Sequence, residues 1–173
     1  AARIGGFGEG FMIPGFGDDI LSELKTQGPK LGLTIREYKS NAEPDPTGAS
    51  WHKVADQIQP GEIDGLFHIA GHFYDPQETE EALLAKRLGI PHAAPSEDLP
   101  TGGSCAYSDD FAASAEQAAI MINKIFHGAK PAAIPIEFGA KTALILDLKR
   151  AREAGFAFPE SMRSIAKEKI DGR

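Results

Sequence analysis

Apolar positions fall along this chain in short runs that alternate between two periods. Arg3-Ile4-Gly5-Gly6-Phe7 is a compact run, and Gly8 to Gly17 after it is rich in glycine with one proline. Asp18 is a candidate N-cap for a helix, because Ile20, Leu21, Leu24 and Leu31 recur at helical spacing and Gly32 marks a C-terminus. Leu33-Thr34-Ile35-Arg36-Glu37-Tyr38 alternates and predicts a strand, and Asn41 to Ser50, with Pro44, Asp45, Pro46 and Gly48, predicts a loop. Trp51, Val54, Ala55 and Ile58 share one face of a short helix stopped by Pro60-Gly61. Ile63 to Ala70 reads as a buried strand ending in Gly71-His72. A helix is predicted over Gln77 to Leu88, with Leu83, Leu84 and Leu88 inward and Gly89 as its cap; a short strand follows over Ile90 to Pro95. Strands alternating with helices of this length predict an α/β fold, a doubly wound parallel sheet with right-handed crossovers.

The second half reads differently. Ser104 to Tyr107 is a short strand, and Asp109-Asp110 opens a helix to Phe126 whose apolar face carries Phe111, Ala115, Ala118, Ile122 and Ile125. Gly128 ends that helix and Pro131 prevents its resumption. Ile134 to Phe138 and Thr142 to Leu146 are strand-like, joined by a turn at Gly139. Asp147 opens a short helix to Ala154, closed by Gly155. Pro159 begins a last helical stretch with Met162, Ile165, Ala166 and Ile170 on one side. No repeat, low-complexity segment or linker divides residues 1–173, which read as a single lobe.

Composition narrows the partners. With 18 basic and 25 acidic residues the formal charge is −7, and no Lys/Arg-rich run stands out, so neither nucleic acid nor an anionic membrane is expected. The one cysteine, Cys105, permits no internal disulfide and leaves the compartment open. Apolar runs such as Thr142 to Leu146 are far shorter than the ~20 residues of a membrane helix. No basic segment followed by an apolar one opens the chain, so the signal of an exported protein is expected to lie outside it.

The glycines at 5, 6, 8, 10, 15 and 17 match neither G-x-G-x-x-G nor G-x-x-x-x-G-K-[ST], and Glu9 would repel a pyrophosphate. His68 and His72 lie four apart with His92 further on, but pocket-lining or hydrogen-bonded histidines are favoured over a metal site. Gly103-Ser104-Cys105-Ala106 does not supply G-x-S-x-G, and Cys105 between small residues reads as inert filling. No catalytic constellation, metal or cofactor is therefore predicted. Loops after successive strands instead converge at one sheet edge: Glu9 to Phe11, Gly71 to Phe73, Pro95 to Glu97 and Tyr107 to Asp110. Their rings (Phe11, Phe73, Tyr107), acids and small residues suit a modest polar or zwitterionic solute, with Glu9, His72 and Ser96 as candidates by position.

Gly102-Gly103-Ser104-Cys105-Ala106-Tyr107-Ser108-Asp109-Asp110 resembles the G-G-x-x-x-Y-G-x-[DN] segment of one group of ABC-transporter substrate-binding proteins. These have the type I periplasmic-binding fold, and their ligands include aromatic amino acids. Ile125 to Ile136 is similar to the group's I-L-x-G-x-x-P-x-x-[IL]-P-[VI], and Lys141 to Gly155 to its K-x-x-x-x-[IV]-N-x-K-x-A-x-x-x-G. Phe158-Pro159 continues the likeness; Asp64-Gly65-Leu66 and Gly89-Ile90-Pro91 fit more loosely. Departures are Ser108 for a glycine, Asp147 for an asparagine, the loop after Phe7, and Gly71-His72 for a proline and an aspartate.

The resemblance covers the second of two Rossmann-like lobes together with the C-terminal crossings. It implies that residues 103–128 cross to pack on a partner lobe, supplied by a separate chain or by a second copy. It makes Tyr107 and Asp110 the leading ligand contacts. It also implies no enzyme but the solute-binding component of an ABC uptake transporter, with a membrane permease and an ATPase as partners, in a periplasmic or other extracytoplasmic compartment. The alternatives are an extracytoplasmic ligand-sensing domain, or a flavodoxin-like enzyme using Gly5 to Gly17 for FMN or a nucleotide.

Overall fold

Two adjacent glycines in the first strand show how tightly the sheet is covered. A side chain at Gly5 would meet Ile63, Leu66 and Tyr38 at 3.0–3.2 Å, and one at Gly6 would meet Ile69 at 2.9 Å. These contacts come from a computed structural model that describes residues 2–8, 16–39, 49–70, 80–139 and 141–172. In chain order the elements are β1 (Ala2–Gly8), α1 (Phe16–Gln27), β2 (Leu33–Lys39), α2 (Ala49–Gln57), β3 (Gly65–Ala70), α3 (Glu80–Leu88) and β4 (His92–Ala93). They continue with β5 (Cys105–Asp109), α4 (Phe111–Phe126), β6 (Thr142–Asp147), α5 (Leu148–Glu153), α6 (Glu160–Ile165) and β7 (Glu168–Ile170).

The sheet has seven strands in the order β2-β1-β3-β4-β5-β6-β7. Strands β1 to β5 run parallel, as the alternation of strands and helices predicts. The wholly parallel sheet needs one correction: β6 runs antiparallel to β5, and β7 is parallel to β6. The reversal follows from α4, which carries the chain away from the end of β5 and returns it beside the same end, since Asp109 pairs with Thr142.

The core lies where the periodicity places it. Trp51, Ile58, Ile63, Leu66 and Leu84 are all at most 3% exposed and pack α2 and α3 onto the sheet. A second cluster of Leu146, Ala151 and Phe158 fixes α5, with Phe156 edge-on to Phe158 at 5.3 Å.

Four local expectations change. Helix α1 begins at Phe16, so Asp18 sits inside its first turn rather than at the cap. The strand expected over Ile134 to Phe138 is absent; a 3-10 turn at Pro131–Ala133 leads into unpaired chain, where Pro135 has no N–H to offer a ladder. The last helix stops at Ile165, and extended backbone at Ala166 (φ −63°, ψ 128°) sends Glu168–Ile170 alongside β6 as β7. The strand expected over Ile90 to Pro95 is two residues long.

Helix α4 is the exception to the packing. None of its residues is buried, although Ile120, Ile122 and Phe126 are 59%, 50% and 82% exposed and wholly apolar. The stretch after it stays beside it, with Gln117 donating to Glu137 at 2.6 Å, while Ile136 and Phe138 are 92% and 90% exposed. Bare apolar side chains in such numbers are uncommon on a monomer surface.

Candidate functional site

Strand β5 and the residue after it carry two of the expected contact residues, Tyr107 and Asp110. Tyr107, midway along β5, is 73% accessible, and its hydroxyl accepts a hydrogen bond from Thr142 Oγ1 at 2.7 Å. Asp110 follows as the N-cap of α4, where its carboxylate accepts from Ala113 N at 3.1 Å. The same carboxylate holds Lys167 Nζ at 2.5 Å, and the Asp110 N–H donates to the Lys141 carbonyl at 3.0 Å. The Lys167 hydrogen bond, then the backbone N–H of Ala113, keeps the Asp110 carboxyl below its ordinary value. Asp110 therefore straps both chains of the crossing and is already neutralised by a half-exposed ammonium.

Of the other expected residues, Ser96 opens a 3-10 turn at Ser96–Thr101. It lines a cavity of about 540 Å³ with Leu99, Ile145, Asp147 and Arg150, which includes neither Tyr107 nor Asp110. The separation follows from topology: Cys105, at the start of β5, pairs with Leu146, whereas Tyr107 lies midway along the strand and Asp110 just after it. Glu9, Phe11, His72 and Phe73 lie outside the described residues.

The histidines find an organic partner. His68 Nδ1 lies 2.7 Å and His92 Nε2 3.2 Å from the same oxygen of Glu81, and all three residues are at most 6% exposed. Among the described residues no group of His, Cys, Asp and Glu has the arrangement of a metal site. Burial pushes the Cys105 thiol up to about 11, so it is protonated at neutral pH.

Sequence reasoning missed Thr142, Lys167 and Glu81. Lys167 reaches Asp110 across 57 residues, and only the β6–β7 pairing makes the contact, so no local spacing announces it. Glu81 carried a readable signal: an acid in the first turn of a helix whose neighbours Ala82, Leu84 and Ala85 are core.

The cluster at the crossing offers a ring face, two hydroxyls and an ammonium–carboxylate pair, groups that can meet both ends of a zwitterion. Helices flanking a mostly parallel sheet define the class: an α/β fold, consistent with one Rossmann-like lobe of a periplasmic-binding protein. Solved structures agree. The chain matches a substrate binding protein with adhesive properties from Clostridium difficile, in its ligand-free, open structure, at TM-score 0.71 and 15% identity, over 99% of this chain and 55% of that one. It matches the ABC domain in complex with L-Trp from Streptococcus pneumonia at TM-score 0.69 and 18% identity, over 98% and 55%. A conserved domain protein from Vibrio cholerae gives TM-score 0.66 and 15% identity, over 96% and 54%. The chain thus spans about half the length of the structures it resembles. No protein-family model matches it, and no curated protein matches it in sequence.

Proposed function

We propose that this chain is one lobe of a solute-binding protein of an ABC uptake transporter. It would hold a small polar or zwitterionic molecule, an amino acid among the candidates, between its strand tips and a second lobe. The observation that carries this reading is the bare apolar surface of α4, the helix that Asp110 caps, and of residues 136–138. A body that covers α4 must also face the end of β5, so completing the fold completes a crevice. Neighbours about twice as long, one of them in complex with L-Trp, support this reading. Closure of two lobes around the solute would then present it to a membrane permease and its ATPase, outside the cytoplasm. Nothing in this scheme asks the chain for catalysis.

Within it, Tyr107 supplies a ring face, and Lys167 with Asp110 supplies the charged pair. Glu9, Phe11, His72 and Ser96 remain candidates by position. Native mass spectrometry of the purified chain, alone and with an amino-acid mixture containing L-tryptophan, tests the reading. The expected result is a species larger than one copy that retains an amino acid and loses it in Tyr107→Ala. A ligand-free monomer under all conditions contradicts it.

A further inference from the structure

The joint between the two halves of the sheet is thin. Strand β4 is two residues long, paired with β3 at Leu66↔His92 and Phe67↔Ala93 and with β5 at Ala93↔Cys105, with backbone bonds from Ser104 N to His92 O and from Ala94 N to Cys105 O beside it. At this joint lies the buried His68–Glu81–His92 group, with one residue on each of β3, α3 and β4. We propose that these three residues form a proton-dependent latch that closes the joint on acidification and loosens it as the pH rises. The inference concerns this lobe alone and does not rest on the transport reading.

The argument runs through the count of protons. Burial alone would raise the Glu81 carboxyl, but the charge of His68 and hydrogen bonds from both imidazoles outweigh it and hold the group well below the carboxylate range. Glu81 is therefore an anion in the core, and a buried anion needs a compensating cation. Both rings point an N–H at the same Glu81 oxygen. His92 Nδ1 is buried with no hydrogen-bond partner among the described residues; a lone pair there costs little and an N–H much more. The compensating proton accordingly belongs to His68, which makes a further interaction besides its bond to Glu81. His92 is fixed through its backbone, whose N–H and C=O are both held by Ser104 Oγ at 2.9 and 3.0 Å.

Among the described residues the neighbouring groups do not supply the missing charge. Cys105 contributes a neutral thiol, and Tyr38 on the same core is bonded through its hydroxyl to Glu62. On α3, Glu80 is engaged by the exposed His52 of α2. Lys86, Arg150 and Glu153 line a small cavity beside His92, but none is bonded to Glu81. Loss of the His68 proton thus leaves Glu81 uncompensated between three elements. Because the bound proton favours the folded state, its stabilisation is complete below the ordinary histidine range, near pH 6.5, and is lost as pH rises above it.

The test is the thermal midpoint of the chain between pH 5.5 and 9, in a His52→Gln background that removes the exposed His52–Glu80 pair. The midpoint should fall as pH rises through the histidine range, and Glu81→Gln should flatten that fall. Equal slopes with and without Glu81 overturn the proposal. Should Glu81→Gln fail to fold, imidazole nitrogen NMR of the parent decides: His68 protonated on both nitrogens at pH 7 and His92 on Nε2 alone is the expected pattern. Two neutral rings at pH 7 overturn it.

Discussion

The β1–α3 region and the α4 arm are built from similar amounts of apolar side chain and put to opposite use. Around Trp51 and Leu84 the apolar groups that face the sheet are covered, although Leu83, expected inward, is 43% exposed, and the sheet glycines are so closely approached that a Cβ would collide. Along α4, Ile120, Ile122 and Phe126 face solvent on a helix that is capped and ended as carefully as any other. Asp110 caps its start, and the His127 N–H returns to Asn123 and Lys124 at its end. Local signals therefore specify a helix whether or not anything covers it, whereas burial needs a second surface. The contrast is between apolar groups that find cover and a well-capped helix whose apolar groups find none among the described residues.

Substitutions at the two places should separate most widely in stability. Leu84→Ala, at 1% exposure, should cost about 2–5 kcal/mol in urea unfolding of the chain. Ile122→Ala, half exposed, should stay within about 0.5 kcal/mol. Equal losses would erase the distinction. Replacing Ile120, Ile122 and Phe126 together by serine should shift the chain toward the monomer in light scattering while leaving its unfolding midpoint in place.

The two N-caps sharpen the comparison at smaller scale. Asp147 accepts from Arg150 N at 2.9 Å and caps α5 within the packed body, so Asp147→Ala should lower global stability by about 1 kcal/mol. Asp110→Ala should instead lower helical circular dichroism from α4 and release Lys167, with little change in the unfolding of the sheet.

The smallest effect is expected at the exposed pair of Arg3 and Asp64, where hydrogen bonds from the Arg3 side chain and backbone hold the Asp64 carboxyl at about 2. A depressed carboxyl stabilises the fold above its ordinary value and loses that contribution as pH falls through the lowered one. Asp64→Asn should therefore flatten the acid limb of the stability profile between pH 3.8 and about 2, less so at high salt.

The same division explains what the sequence disclosed. Strands β1, β2 and β3 and the helices between them were legible because alternating and helical periods there coincide with real burial. Ile134-Pro135-Ile136-Glu137-Phe138 carries the same β-rich alternation, but no strand lies beside it, and the pattern alone could not say so. Ile170 fits the helical spacing of Met162, yet β6 leaves an open edge and the Lys167 N–H donates to Leu144 O at 2.9 Å, which favours strand over helix. Tyr107 and Asp110 are candidates through a motif. Their partners Thr142 and Lys167 arise from strand pairing and are not.

Hydrogen exchange of the chain at low and high concentration addresses the division between body and arm most directly. The account predicts that amides of β1, β3 and α3 exchange slowly throughout, whereas those of α4 exchange quickly in the dilute chain and slow when a second body covers Ile120, Ile122 and Phe126. Protection of α4 equal to that of β3 in a dilute monomer would contradict it.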